Sequence, residues 1–290
     1  MYKAGFVSII GKPNVGKSTL MNALVGEKLS IVTPKPQTTR KNILGISSSP
    51  DYQIVFIDTP GFLKPRYLLQ EKMQKQITDA LKEADIVIFL TDITTFPTDY
   101  DRQVSQLIQG LSTASLPVIN KIDLANSEMI EQAKHTLSEL GFEKAYFISA
   151  TEGLGVGELE SALVDMLPAH PPYFPTDDMS TLPVRFFAQE IIREKIFLIY
   201  REELPYSSTV VIDQFKEEPD KVVIYATIYI ESPSQKKIII GSNGNMIKQV
   251  RELAEKDLID FLQKKVQLHL WVKVRKHWKK KEHLLKEFGY

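Results

Sequence analysis

Nine consecutive residues, Gly11-Lys12-Pro13-Asn14-Val15-Gly16-Lys17-Ser18-Thr19, combine two glycines, two lysines and a pair of hydroxyls at a spacing that suits phosphate chemistry. Backbone N–H groups around the turn, joined by the unpaired ones of a following helix, converge on phosphate oxygens, and Lys17 adds a point charge near the β and γ phosphates. Ser18 is placed to offer its hydroxyl to Mg²⁺. Further along, Asp58-Thr59-Pro60-Gly61 supplies an acid that can hold a water on such an ion. It also supplies a glycine N–H that can approach a γ-phosphate, so this loop would tell a triphosphate from a diphosphate. The aspartate of Asn120-Lys121-Ile122-Asp123 can accept two hydrogen bonds from the N1 and 2-amino groups of guanine, which adenine lacks. Asn120 can support the base edge there, and the Lys121 stem can lie over the ring. The N–H groups of Ser149-Ala150 are candidates for the guanine carbonyl oxygen.

These clusters share a position: each follows a short apolar run. Phe6–Ile10, Gln53–Ile57, Ile86–Leu90, Leu116–Ile119 and Ala145–Ile148 read as strands buried on both faces. Residues 20–24, 68–84, 99–112, 127–140 and 156–166 read as helices between them. The pattern predicts an α/β domain with a mostly parallel sheet and its ligand loops at the carboxyl ends of the strands.

Prolines and turn residues concentrate between Pro168 and Asp178, which predicts a boundary: a first domain over 1–170, a linker over 171–183 and a second domain over 184–290. In the second half, a helix around 187–200 precedes a hairpin of Ser208–Phe215 and Lys221–Ile230. A helix over 245–263 and an alternating strand over 266–274 follow, giving a smaller α+β domain. Between the hairpin and that helix stands Gly241-Ser242-Asn243-Gly244, a turn that lets nucleotide backbone lie close to protein backbone.

The chain has 290 residues, 43% hydrophobic and 25% charged, and no cysteine, which excludes disulfides and thiol catalysis. Its formal charge of zero conceals an asymmetry: from Lys236 to Tyr290 there are 14 Lys or Arg against 6 Asp or Glu. Such a surplus asks for a polyanion, either nucleic acid or an acidic membrane surface. The five histidines are scattered, with no ligand spacing for a metal. No apolar run reaches transmembrane length, so the expected location is the cytoplasm.

Taken in order, the phosphate loop, Asp58–Gly61, Asn120–Asp123 and Ser149-Ala150 resemble a Ras-like GTPase domain. Asn14, with Pro36-Gln37-Thr38-Thr39-Arg40 before Leu44-Gly45-Ile46, narrows the resemblance to the Era family of bacterial GTPases, over nearly the whole chain. The resemblance implies that Thr39 closes onto Mg²⁺ with Ser18 and Asp58, Thr38 being the second choice. It implies mobile switches over 33–45 and 62–70, and GTP exchanged for GDP by hydrolysis. Lys17, Asn14, Thr39 and Gly61 would serve catalysis. Phe62 stands where many Ras-like enzymes carry a water-orienting glutamine, so slow intrinsic turnover is expected, with K⁺ beside Asn14 as a candidate aid.

By the same resemblance the second domain is a type II KH domain. Family loops usually place a basic residue between the glycines, whereas Ser242 and Asn243 are neutral. Phosphate contacts then fall to Lys237, Lys248, Arg251 or the 273–281 cluster, including Lys273 and Arg275, with Trp271 and Trp278 as candidates for base stacking. The implied partners are the 3′ end of 16S ribosomal RNA and the assembling 30S subunit, bound by a monomer. A GTPase acting at the cytoplasmic membrane surface through its basic end is the alternative reading, and peripheral membrane contact is also a reported family tendency.

Overall fold

The structure is a computed structural model and describes residues 1–290. The chain divides into two compact units, Met1–Pro65 with Lys72–Thr181 and Arg66–Glu71 with Leu182–Tyr290. The first holds β1 (Lys3–Ile10), α1 (Lys17–Val25), β2 (Ile43–Ser48), β3 (Tyr52–Asp58), α2 (Leu68–Glu83, whose first turn belongs to the second unit), β4 (Ile86–Asp92) and α3 (Asp99–Gln109). It continues with β5 (Ala114–Asn120), α4 (Ser127–Glu139), β6 (Tyr146–Phe147) and α5 (Val156–Met166). The strands form one sheet in the order β2-β3-β1-β4-β5-β6, parallel except for the β2–β3 pair.

Every residue of β4 is buried, as a central strand covered on both faces requires. Chain order reverses beside β1, which lies between β3 and β4, so the loop leaving β1 opens into the crevice where such sheets take ligands. Asp58 ends β3, Asp92 ends β4 and Asn120 ends β5, all at the same carboxyl edge.

Three local features differ from the sequence expectation. The helix expected over 99–112 stops at Gln109, followed by Gly110, and β6 is only two residues long. The segment expected as a linker over 171–183 forms no helix or strand and turns where Asp178 donates its N–H to the Pro175 carbonyl at 3.1 Å, and part of it is tied down within the first unit. The buried Gln53 amide needs partners, and this segment supplies them: Tyr173 and Phe174 donate their N–H groups to Gln53 Oε1 at 2.8 and 3.0 Å. Ile46 donates its N–H to the Met179 carbonyl at 2.8 Å.

The second unit is built from α6 (Val184–Ile199), α7 (Leu204–Ser207), β7 (Thr209–Glu217), β8 (Lys221–Ile230), α8 (Pro233–Ile240), α9 (Asn245–Leu262), β9 (Lys265–Val274) and α10 (Glu282–Glu287). Its sheet runs β7-β8-β9, with β7–β8 antiparallel and β8–β9 parallel. Helix α8 is an element that the hydrophobic pattern does not predict. Ser232 and Gln235 form a reciprocal capping box with Pro233 at the first turn, and that signal outweighs the β-branched run Ile238-Ile239-Ile240. One sheet face packs Val222, Ile224, Ala226, Ile228, Leu268 and Val272 against residues of α6 and α9. The alternation of β9 therefore turns His269, Trp271 and Lys273 to the other face.

Candidate functional site

The phosphate loop lies between β1 and α1 and lines a cavity of about 400 Å³, with Pro13, Asn14, Gly16, Lys17, Ser18, Thr19, Thr39, Gly61 and Lys121 among its walls. Gly16 has φ 99°, and a Cβ there would stand 2.2 Å from Asn120 Nδ2, so the turn that opens α1 admits no side chain. No side chain caps α1, which leaves its first-turn N–H groups to a ligand. The Lys17 ammonium is buried and donates to the carbonyls of Gly11 (3.3 Å) and Lys12 (3.0 Å). Burial pushes its pKa down to about 8, with Asp58 pulling the other way.

Beside Lys17 three elements bring oxygen atoms together. Ser18 Oγ donates to Asp58 Oδ2 at 2.7 Å and lies 2.9 Å from Thr39 Oγ1, and Thr39 Oγ1 is 3.3 Å from the same carboxylate oxygen. Ser30 donates to it as well, at 2.9 Å. Asp58 is fully buried and its Oδ1 has no hydrogen-bond partner. Burial pushes the carboxyl's pKa up, opposed by Lys17, Ser18, Ser30 and Thr39. A buried carboxylate with one oxygen unmatched and hard oxygen donors around it is a donor set suited to Mg²⁺. Thr38 does not join it; its hydroxyl is shared with Thr33 at 2.6 Å and donates to the Lys35 carbonyl at 2.8 Å.

Gly61 lies over the loop, where a Cβ would meet Pro13 Cγ at 2.8 Å, and the Phe62 N–H donates to the Gly11 carbonyl at 3.0 Å. Thr59 donates to the Ile9 carbonyl at 2.7 Å, and Pro60 is buried beside it. The half-buried Phe62 ring packs against the apolar cluster that includes Val87, Phe89 and Ile108 and does not line the cavity.

The loop after β5 is wired to the phosphate loop. Asn120 Nδ2 donates to the buried Val15 carbonyl at 2.8 Å, and Lys121 Nζ donates to the Asn14 carbonyl at 3.0 Å. Asp123 is exposed in the short helical turn that follows. Here the structure corrects one expectation. The Ala150 N–H donates to Asn120 Oδ1 at 3.0 Å and the Ser149 N–H to the Leu154 carbonyl at 2.9 Å, so these groups hold the loop in shape instead of facing a base. Lys12 also differs. Its ammonium is committed to Asp101 (2.9 Å) and Thr95 (2.9 Å), leaving only its backbone for phosphate.

Sequence reasoning missed Ser30, Asp92 and Asp101. Nothing local marks Ser30, while Asp101 is marked only as the partner of Thr98 in the capping box that opens α3, and its bond to Lys12 comes from far away in the chain. Asp92 carried a usable signal, since it ends a buried strand at the ligand edge. It pairs with Lys121; burial pushes its carboxyl up, but Lys121 and Thr94 outweigh that and hold it below the usual range.

In the second unit, Gly241 has φ 75° and Gly244 φ 76°, and a Cβ on Gly241 would stand 2.4 Å from Met246 Cγ. The turn between them thus joins α8 to α9 with bare backbone. Exposed Ser242 and Asn243 form its tip, and exposed Lys237 and Lys248 flank it on the two helices, with Arg251 half-buried one turn on. Ile238, beside Lys237, is 52% exposed. Lys273 stands on the opposite sheet face and Arg275 just beyond β9, where its guanidinium lies 5.7 Å from the Tyr229 ring centre. Trp278 is fully buried and donates its indole N–H to the Ser207 carbonyl at 2.9 Å, so only Trp271, 47% exposed, is free to stack on a base.

A P-loop GTPase domain followed by a smaller KH-like domain is therefore the architecture. The family model for the 50S ribosome-binding GTPase matches residues 6–121, and the KH domain model matches residues 203–279. The chain is 43% identical over 292 residues to the GTPase Era of Alkaliphilus metalliredigens, covering all of this chain and 99% of the relative. It is 43% identical over 293 residues to that of Thermotoga maritima, covering 99% and 97%. Among solved structures, Era in complex with MgGDPNP and nucleotides 1506–1542 of 16S ribosomal RNA superposes with a TM-score of 0.95 at 37% identity, covering 100% of this chain and 99% of the other. A point variant of Aquifex aeolicus Era bound to GDP.AlF4⁻ gives a TM-score of 0.94 at 37% identity, covering 99% of each. The chain belongs to the Era family of GTPases.

Proposed function

We propose that this protein hydrolyses GTP to GDP and phosphate and uses the nucleotide state to time its binding to the 3′ end of 16S ribosomal RNA during assembly of the 30S subunit. The carrying observation is the cluster of Ser18, Thr39 and Asp58, which couples the segment before β2 to the phosphate loop through one buried carboxylate. Ser18, Thr39 and Asp58 would hold Mg²⁺, which when bound neutralises charge on the β and γ phosphates. Gly11 to Thr19 bind the phosphates through backbone N–H groups, and Lys17 exchanges its two carbonyl partners for phosphate oxygens. Asp123 selects guanine, while Asn120, Ser149 and Ala150 keep its loop in place. The Gly61 N–H senses the γ-phosphate from its position over Pro13.

Water attacks the γ-phosphoryl group in line, and placed positive charge and N–H donors stabilise the charge that develops. With the Phe62 ring packed on the core, no side chain at that position orients the water, which supports slow intrinsic turnover. The Asn14 amide donates to the Pro34 carbonyl at 2.9 Å, which places this asparagine between phosphate loop and switch, where a K⁺ ion would add charge.

The RNA partner is supported by the relative solved with 16S ribosomal RNA and by the bare glycine turn flanked by Lys237 and Lys248. No helix is long and apolar enough to cross a membrane. The test is a footprint on small-subunit ribosomal RNA with GTP and with GDP. Protection of the 3′ end that changes between nucleotides is the expected result, and protection elsewhere, or none, refutes the reading.

A further inference from the structure

We propose that the sheet face turned away from α6 and α9 is a second RNA contact, on which unpaired nucleobases stack. This rests on the reading of the chain as an RNA-binding protein, and it concerns a surface separate from the glycine turn.

The face falls into two halves. At one end Tyr229 is covered: the Phe288 ring stacks on it at 4.6 Å, Trp278 packs beside Phe288, and Tyr290 stacks on Trp278. The other half carries aromatic rings with no aromatic lid, Tyr225 and His269 half-buried and Trp271 exposed. Tyr225 and His269 face each other across β8 and β9, their rings 4.8 Å apart and 14° from parallel. Trp271 lies 5.9 Å from Tyr225 and 17° from parallel, and with 47% of its surface exposed it leaves a broad ring face to solvent. With His269 and Trp271 also 6.2 Å apart, the three rings form a near-parallel cluster whose exposed member, Trp271, can take one more flat ring, and nucleobases are flat rings that stack on aromatics whatever their sequence.

The chemistry around this ring cluster selects a polyanion with bases over an apolar peptide. Lys216 Nζ sits 5.5 Å from the Tyr225 ring centre, and the alternation of β9 places exposed Lys265 and Lys273 on the same face, on either side of His269 and Trp271. Two of the three acids at the hairpin tip are paired, Glu217 with Lys264 at 3.7 Å and Glu218 with Lys221 at 3.5 Å, and the third is Asp220. Beside Trp271 a depression of about 500 Å³ is lined by Asp213, Gln214, Tyr225, Thr227 and Lys273. Asp213 accepts from Thr227 Oγ1 at 2.7 Å and, with the Gln214 amide, offers hydrogen bonds to base edges.

The experiment measures binding of the full chain to single-stranded RNA of about four nucleotides, enough for a glycine turn, and of about twelve, by fluorescence anisotropy. Trp271→Ala is expected to lower affinity for the longer RNA by about tenfold and leave the shorter one unchanged, the loss of one stacked base. Trp271→Phe should keep most of the affinity, and Gly244→Asp should weaken both RNAs. Lys216→Glu, on the surface and away from the core, should weaken only the longer one, which tests the proposal even where Trp271→Ala fails to fold. Unchanged affinity for the longer RNA in both Trp271→Ala and Lys216→Glu, with Gly244→Asp impaired, overturns this inference alone. Absence of RNA binding by the parent chain overturns it together with the RNA reading of the protein.

Discussion

Raising the pH should weaken nucleotide binding through Lys17, and the size of the effect follows from its burial. In the free protein its pKa lies at about 8, lowered from 10.5 because the ammonium is shut away from water with only carbonyls and Asp58 to compensate. Bound phosphates would restore the charged form, so binding must take up whatever proton Lys17 has lost. The charged fraction falls from about 0.9 at pH 7 to about 0.25 at pH 8.5, which predicts affinity for GDP about fourfold weaker at the higher pH. Titration calorimetry in two buffers of different ionisation enthalpy should show proton uptake rising from about 0.1 to about 0.75 per GDP over that range. The nucleotide-free protein changes in the opposite sense: between pH 8 and 10.5 the unfolded chain holds more protons on Lys17 than the folded one, so this residue's contribution to stability rises with pH. Lys17→Met should lose both effects. Flat affinity with no proton uptake between pH 7 and 8.5 would refute the claim that Lys17 is desolvated and awaits an anion.

Asp123→Ala should reduce the preference for GTP over ATP by about tenfold to a hundredfold, the worth of hydrogen bonds to a charged acceptor, measured by competition binding. Asp58→Asn should abolish the Mg²⁺ dependence of GTP binding while leaving the free protein's thermal midpoint level or higher, because a costly buried charge is removed; a large drop in midpoint would contradict this. Hydrolysis should run faster in K⁺ than in Na⁺ at matched ionic strength, and equal rates would remove the cation from the account. Trp278→Ala should destabilise the protein by about 3–5 kcal/mol in denaturant unfolding, against less than about 1 kcal/mol for exposed Trp271→Ala.

Much of the nucleotide site is readable in the sequence because its residues follow buried strands. Gly11–Thr19, Asp58–Gly61 and Asn120–Asp123 sit where runs such as Ile86–Leu90 imply a covered parallel sheet, and topology then gathers their loops at one edge. Contacts that depend on distant pairing are not readable. Ser30 reaches Asp58 across 28 residues with no local pattern to announce it, and Asp101 reaches Lys12 across 89, a contact that its local capping box with Thr98 does not foretell. Motif order assigns Ala150 to the base, yet its N–H is taken by Asn120, a competition only coordinates reveal. The two tryptophans show the same limit. Alternation along β9 leaves Trp271 on an outer face in either case, while the fate of Trp278 depends on Ser207 and Phe288 arriving from elsewhere in the unit. Helix α8 is hidden by its isoleucines, although Ser232, Pro233 and Gln235 spell its start.

The central claim is that nucleotide state and RNA binding are linked in one molecule, and linkage is reciprocal. The most direct measurement is the ratio of dissociation constants for a non-hydrolysable GTP analogue and for GDP, with and without single-stranded RNA carrying the 3′-terminal sequence of 16S ribosomal RNA. RNA is expected to shift this ratio toward the triphosphate by about fivefold or more, a coupling of ordinary size. A ratio unchanged by saturating RNA would contradict it.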